Sequence, residues 1–384
     1  MYFHQEAITT IGQTLGRHPR RHFGIRQRDR LFHMYVIGQT GTGKSALMAR
    51  LATQDLLMRR GFCLIDPHGD LAGEVRRAAG DRALYWDAAD PACPYGYNPL
   101  TYVTPEYRPL IASGIIDTLK QQWADAWGAR MEHLLRFSLL ALLETPRATF
   151  ADVIPMFTDK SFRSRVLARV SDEEVIKFWR KEYPRMNYRT AFDGVAPIAN
   201  KLGAFLAHPV VRKAVCEPET PLRFRRLMDE GQTLIINLAK GRLGSDISDV
   251  LGGLIVSSIM HAAISRQDQP PHLRVPYYLY VDEFQSMTNS AFVGLISEIR
   301  KYALGLVVAH QFTSQLKEQV FDAVLGNVGT VLVFRVGAKD APLLAKHLGD
   351  IDPRDLTRLG NYELTMKLMV DGVQSKAFSA RTVI

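Results

Sequence analysis

The stretch Gly38-Gln39-Thr40-Gly41-Thr42-Gly43-Lys44-Ser45 has the types and spacing that phosphate chemistry needs: a glycine, four free positions, then Gly-Lys-Ser. Backbone N–H groups can curl around a polyphosphate only where glycines tolerate positive φ and let the chain come close. Gly38, Thr40, Gly41, Thr42 and Gly43 would form that cradle, Lys44 would reach the terminal phosphates, and Ser45 would ligate Mg²⁺. A glycine-rich turn with an exposed lysine could share this spelling. The flanks argue against it, because the apolar run 31–37 predicts a buried strand and 45–51 predicts an amphipathic helix. The N-terminus of that helix adds its partial positive charge to the site.

A second constellation can act on what the loop holds. Asp282 closes an apolar strand predicted over 275–281, a place from which a carboxylate can order the water shell of Mg²⁺. Glu283, one step on, can polarise an attacking water, since γ-phosphoryl transfer needs positioning and charge neutralisation more than covalent help. The competing reading of the pair is an acidic surface turn. Gln311 ends the next predicted strand, 305–311, so its amide should emerge at the same sheet edge and could touch the γ-phosphate or the lytic water. It could also be a buried, hydrogen-bonded scaffold glutamine. Arg335 ends the strand predicted over 329–335. It could complete a neighbouring subunit's site as an arginine finger, or form an internal salt bridge, for instance to Asp340.

These residues need elements that bring them to one edge. Strand, helix and strand succeed one another from 31 to 66, which implies a right-handed parallel crossover. Asp66 and Asp70 would then lie near the C-terminal end of a strand, where ligands collect in open α/β sheets. A short strand is predicted at 83–87, and the proline-rich stretch 91–100 must be a shaped loop. Strands resume at 233–238, and their alternation with helices predicts an α/β fold with a doubly wound, mainly parallel sheet. Alternating residues around Asp371-Gly372 signal a hairpin. Between 105 and 225 the apolar spacing is helical, as in Met131, Leu134, Leu135, Leu139 and Leu142, which predicts a helical insertion interrupting the sheet. The expected organisation is a basic N-terminal arm over 1–30, a core from 31–104 and 226–384, and an all-α insertion over 105–225. The arm carries Arg17, Arg20, Arg21, Arg26, Arg28 and Arg30 without apolar periodicity. It could lie on phosphates, pair with a neighbouring subunit's acids, or stay solvated.

With 384 residues the chain can bury a sizeable core, and its length suggests two or three domain-sized units. An apolar content of 47% beside 23% charged residues is ordinary for a soluble globular protein. The net charge of +9 is less ordinary and favours a polyanionic partner, nucleic acid or an anionic membrane. Cys63, Cys93 and Cys216 show no metal-ligand spacing and suit a reducing compartment. No secretory signal is visible, and no apolar stretch approaches bilayer length; the best, 250–264, contains Ser257, Ser258 and His261. The expected location is cytoplasmic. No recognition-helix or zinc-ligand pattern offers specific base recognition.

Taken together, residues 37–45, the turn Ile65-Asp66-Pro67-His68-Gly69-Asp70, Tyr97-Asn98-Pro99-Leu100, Val281-Asp282-Glu283-Phe284, His310-Gln311 with Ser314-Gln315-Leu316, and Phe334-Arg335-Val336-Gly337 resemble the HerA/FtsK superfamily of hexameric DNA-pumping P-loop ATPases. Within it the chain is most similar to the soluble ATPase part of type IV coupling proteins of the TraG/TraD kind, over residues 22–380. The resemblance implies a RecA-like core, ATP and Mg²⁺ as cofactors, and a homo-oligomeric ring, expected to be a hexamer, with ATP sites between subunits. It implies hydrolysis that drives movement along DNA, single- or double-stranded. By the same resemblance Lys44 and Ser45 contact phosphate and Mg²⁺, Asp282 and Glu283 are the metal and water carboxylates, Gln311 is the sensor, and Arg335 acts in trans. The helical insertion resembles the all-α domain of coupling proteins, which is associated with engaging DNA or substrate. Implied partners are a relaxase or a membrane-embedded secretion protein, which would recruit the chain to the inner membrane. For a HerA-like resection or phage-defence motor the implied partner is a nuclease. The sequence departs from the family in showing neither the N-terminal membrane helices of coupling proteins nor the small β-barrel of HerA proteins. A nucleotide-gated assembly switch that moves no DNA is the reading from a different class.

Overall fold

Strands buried on both faces must be apolar along their whole length, and those of a parallel sheet usually are. The runs Met34–Ile37, Phe62–Asp66, Thr233–Asn237, Tyr277–Val281, Leu304–His310 and Thr330–Val333 are strands whose every residue is buried. The computed structural model describes residues 7–15, 20–100, 103–186, 188–288, 290–349 and 351–382. The chain divides into two compact units: Met1–Tyr85, Phe224–Ala239 and Ala262–Ile384 form the first, Trp86–Arg223 and Lys240–His261 the second.

The first unit is built on a large mixed sheet. Ten of its eleven strands are β1 (Ile8–Thr14), β2 (His22–Arg26), β3 (Met34–Ile37), β4 (Phe62–Asp66), β5 (Thr233–Asn237), β6 (Tyr277–Val281), β7 (Leu304–His310), β8 (Thr330–Val333), β9 (Glu363–Lys367) and β10 (Phe378–Thr382), and the eleventh is the predicted short strand, Leu84–Asp87. The ten lie in the order β2-β1-β10-β9-β8-β3-β7-β6-β4-β5. From β8 to β5 all neighbours run parallel, and from β8 to β2 all run antiparallel. In the parallel part Ile37 is paired with both His310 and Val333, and Val281 with both Val308 and Ile65. Gly38, Asp66, Asp282, Gln311 and Phe334 therefore leave their strands at one edge.

Helix α1 (Lys44–Leu57) follows β3 and buries Leu47, Leu51 and Met48, Ala52, two i, i+4 pairs on one face. These side chains join Val36, Leu64, Tyr280, Val307 and Leu332 in one core cluster. Each fully buried large aliphatic side chain there contributes about 1.5–3 kcal/mol. The Asp371-Gly372 signal is met by a two-residue hairpin turn: Val370 pairs with Val373, and both turn residues have positive φ, 52° and 79°.

The segment read as a basic arm is instead part of this sheet. β1 and β2 pair with each other, and β1 continues onto β10. The segment that follows β2 is anchored on Asp55, which α1 turns inward to complete burial, where an unpaired carboxylate would be untenable. Arg30 meets it with two parallel bonds of 2.6 and 2.8 Å, Arg60 adds a third at 3.3 Å, and the Tyr280 hydroxyl donates at 2.6 Å. Arg26 and Arg28 pair with Asp371, while Asp29 accepts the backbone N–H groups of Asp371 and Gly372. Arg17 and His18 lie outside the described residues. Composition counts charges; it does not show which carboxylate a fold will bury beside them.

The second unit is helical, with Arg108–Gln122, Ala129–Leu143 and Tyr188–Ala207 as its longer helices before residue 223. Leu134, Leu135, Leu139, Leu142, Phe150 and Trp179 are buried. Phe137 stacks on Phe178 at 4.1 Å, and Phe178 opens a π-helical turn, Phe178–Glu182. The two-residue strands Tyr95–Gly96 and Thr220–Pro221 pair in parallel and join the two ends of this stretch. One expectation needs correcting: the helical stretch Ser245–Asp268 is long and apolar enough to cross a membrane by length and composition. The Ser and His residues in it fall among enough aliphatic neighbours to reach that threshold, but 72% of its apolar window is already buried inside the protein.

Two stability predictions follow. Asp55→Ala leaves Arg30 buried without its counter-ion and should cost about 3–5 kcal/mol, read as a lowered urea midpoint. The second concerns His33, whose Nδ1 accepts from the Leu306 N–H at 3.1 Å while Nε2 lies 3.2 Å from the Ile296 carbonyl, a pattern for the neutral ring alone. Burial pushes its pKa down to about 4, and burial with Lys44 nearby pushes His310 down to about 3. Both rings stay neutral in the folded state while the unfolded chain takes up protons below about pH 6.5. Their contribution is therefore complete above pH 6.5 and is lost as pH falls toward 4, by up to about 1.4 kcal/mol per pH unit for each histidine. Urea midpoints at pH 7.5 and 5 should differ in that sense, and His33→Gln should flatten the slope.

Candidate phosphate and metal site

The loop after β3 has the conformation its glycines permit. Gly41 and Gly43 have φ of 77° and 116°, and Gly43 caps the start of α1. Close approach is a second demand: a Cβ on Gly43 would lie 2.8 Å from a ring carbon of Tyr362, and one on Gly38 would lie 2.5 Å from Cβ of Phe334. The loop is pinned by its neighbours, with Gln39 N–H donating to the Arg335 carbonyl and Tyr362 N–H to the Thr42 carbonyl, both at 2.8 Å. Thr42 Oγ1 donates to the Gln39 carbonyl at 2.7 Å. Lys44 Nζ is folded back on the loop, 2.6 Å from the Gly38 carbonyl and 3.1 Å from that of Gln39. Only 6% of Lys44 is exposed, and burial lowers its pKa while Asp282 and Glu283 oppose the shift.

The carboxylates stand opposite. Asp282 Oδ2 accepts from Ser45 Oγ at 3.3 Å, and its Oδ1 accepts from the Glu283 N–H at 3.0 Å. Burial, with the negative charges of Asp66 and Glu283 close by, pushes the Asp282 carboxyl up to about 6. Asp66 itself faces its own chain, accepting from the N–H groups of His68 and Ala72 at 2.8 and 2.9 Å, so it shapes the turn into helix α2 (Asp70–Ala79). Glu283 has φ 49° and ψ 45°, a left-handed conformation unusual for a side chain of its size.

Gln311 links the two groups. Its Oε1 accepts from Thr40 Oγ1 at 3.0 Å, and its Nε2 donates to Glu283 Oε1 at 2.6 Å. Gln285 donates to the other oxygen of Glu283, also at 2.6 Å. Arg335 reaches this region through its backbone, while its guanidinium donates to the Leu359 carbonyl and to Asn361 Oδ1, both at 3.0 Å. The suggested bridge to Asp340 is not made: the Asp340 Oδ1 accepts from the Thr313 N–H and hydroxyl instead. Sequence reasoning missed Tyr362 and Gln285. Both act through contacts set by left-handed residues, Tyr362 at φ 65° and Glu283, which carry no local signal.

A serine hydroxyl beside a partly dehydrated aspartate, with a lysine and a run of backbone amides at a helix N-terminus, fits a hard divalent cation bound together with a polyphosphate. No cluster of three or more His, Cys, Asp or Glu side chains able to hold a metal occurs among the described residues. None is required, because Mg²⁺ in such sites takes one or two protein ligands, phosphate oxygens and waters.

No family model matches the chain, and no curated protein does. Solved structures do. The unbound bacterial conjugative coupling protein TrwBΔN70 superposes with a TM-score of 0.68 at 16% identity, covering 94% of this chain and 87% of that one. The plasmid coupling protein TrwB in complex with ADP and Mg²⁺ gives 0.67 at 17% identity, with 94% and 87% covered. VirB4 of Thermoanaerobacter pseudethanolicus gives 0.69 at 14% identity, with 98% and 96% covered. The chain, with six parallel strands beside an antiparallel flank, has the RecA-like P-loop fold of the coupling-protein and VirB4 structures.

Proposed function

We propose that this chain binds ATP with Mg²⁺ at the sheet edge, hydrolyses it, and as a homo-oligomeric ring converts turnover into movement of DNA, in conjugative transfer or another mobile-element process. The observation that carries the reading is the joining of loop and carboxylate: Ser45 to Asp282, and Thr40 through Gln311 to Glu283. A likeness of fold to a coupling protein solved with ADP and Mg²⁺ supports it, as does the net charge of +9.

In this reading Gly38, Thr40, Gly41, Thr42 and Gly43 present backbone amides to the phosphates, and Lys44 exchanges its carbonyl partners for phosphate oxygens. Ser45 and Asp282 would hold Mg²⁺, which would supply charge neutralisation to the phosphoryl transfer. Glu283 orients and polarises the attacking water, and Gln311 reports whether the γ-phosphate is present. Among the described residues the Arg335 guanidinium donates only to neutral groups, so an anionic phosphate on a neighbouring subunit would compete well for it. The helical stretch 105–225 is the part assigned to DNA or substrate, the ring is assigned six subunits, and relaxase or secretion partners would recruit it to the inner membrane.

Lys44→Ala should abolish turnover. Glu283→Gln should still bind ATP but lose hydrolysis by about 10²–10⁴-fold, and a wild-type rate in that variant would remove Glu283 from the mechanism. DNA should stimulate the ATPase at low salt, and the stimulation should fall steeply as salt rises. Rates indifferent to both single- and double-stranded DNA would favour an assembly switch over a motor.

A further inference from the structure

Glu283 is held from two sides by amides, and the two are not equivalent. Gln311, at 2.6 Å from Oε1, is shared with Thr40 of the phosphate loop. Gln285, at 2.6 Å from Oε2, belongs to the short turn Phe284–Ser286 that Glu283 itself begins. Among the described residues its Nε2 makes no other hydrogen bond, and its Oε1 is buried without a partner. An unpaired buried oxygen is costly, and a methionine or leucine of similar size would fill the same space without that penalty. A glutamine at this position is therefore poorly explained by packing and well explained by its one short bond to Glu283.

The backbone points the same way. Glu283 sits in the left-handed region with no glycine to ease it, and such conformations persist where surrounding contacts over-determine them. On the proposed function, Gln311 is drawn toward the nucleotide during turnover, which loosens one of the two restraints on the carboxylate. We infer that Gln285 is a positioning residue for hydrolysis, the contact that keeps the Glu283 carboxylate directed at the water when Gln311 engages the γ-phosphate. The inference rests on the assignment of Glu283 as the water-orienting group, and it adds the group that orients Glu283 in turn.

The test is Gln285→Met, with Gln285→Leu as a second amide-free variant. Steady-state ATP hydrolysis should lose about 10- to 100-fold in kcat, because a carboxylate free to swing misplaces the water. Binding of a non-hydrolysable ATP analogue should be unchanged. The melting midpoint should hold or rise, since the unpaired oxygen is gone, and a purely structural role would move it down. In the Glu283→Gln background, Gln285→Met should cause no further loss, the signature of two residues acting as one unit. Wild-type kcat in both Gln285 variants, beside a stalled Glu283→Gln, would overturn this inference alone. Loss of kcat that tracks loss of analogue binding or a lowered melting midpoint would also overturn it. A wild-type rate in Glu283→Gln would overturn the underlying assignment and this inference with it.

Discussion

Keeping a lysine and two carboxylates charged within one partly dehydrated rim is the constraint on which the rest of this structure depends. Asp282 is nearly buried and has Asp66 and Glu283 as like-charged neighbours, so its charge is costly to hold. Lys44 supplies part of that counter-charge, yet its ammonium is itself mostly buried and is held by loop carbonyls. A site of this kind is unsatisfied in charge on both sides. A divalent cation together with a polyphosphate would satisfy both at once.

Such a rim can exist only if strands distant in sequence end in register. The pairing of Ile37 with His310 and of Val281 with Val308 sets the loop, the carboxylates and Gln311 within side-chain reach, and a slip of one residue would turn Asp282 to the other face. The buried ion cluster of Arg30, Asp55 and Arg60 helps to hold that register. Tyr280, one residue before the end of β6, donates to Asp55 on α1, so the strand that carries the carboxylates and the helix that carries Lys44 share a charged anchor. Replacing the anchor with apolar side chains could leave stability intact, but the directional bonds fix the geometry as apolar packing does not.

The same cluster changes the meaning of the charge balance. Arg26, Arg28 and Arg30 are engaged with Asp371 and Asp55, so the basic segment beside the first strands serves the fold before it can serve a polyanion. Glu283 shows the opposite economy. Its left-handed backbone is a local strain of about 1–3 kcal/mol, stored next to the group where turnover would occur and offset by amides on either side.

By itself the sequence determined what local chemistry can spell out. The glycine loop, the apolar strands on either side of it, the Asp-Glu pair at a strand end and the Asp371-Gly372 turn were legible because each depends on residues adjacent in the chain. The alternation of strand and helix also announced a parallel sheet. Only the tertiary structure decided that Arg30 is buried on Asp55, that β1 and β2 extend the sheet, and that Gln285 lies against Glu283 and Tyr362 against the glycine loop. Each of these rests on contacts between segments far apart in sequence or on a left-handed residue, and neither leaves a periodicity or a spacing to read.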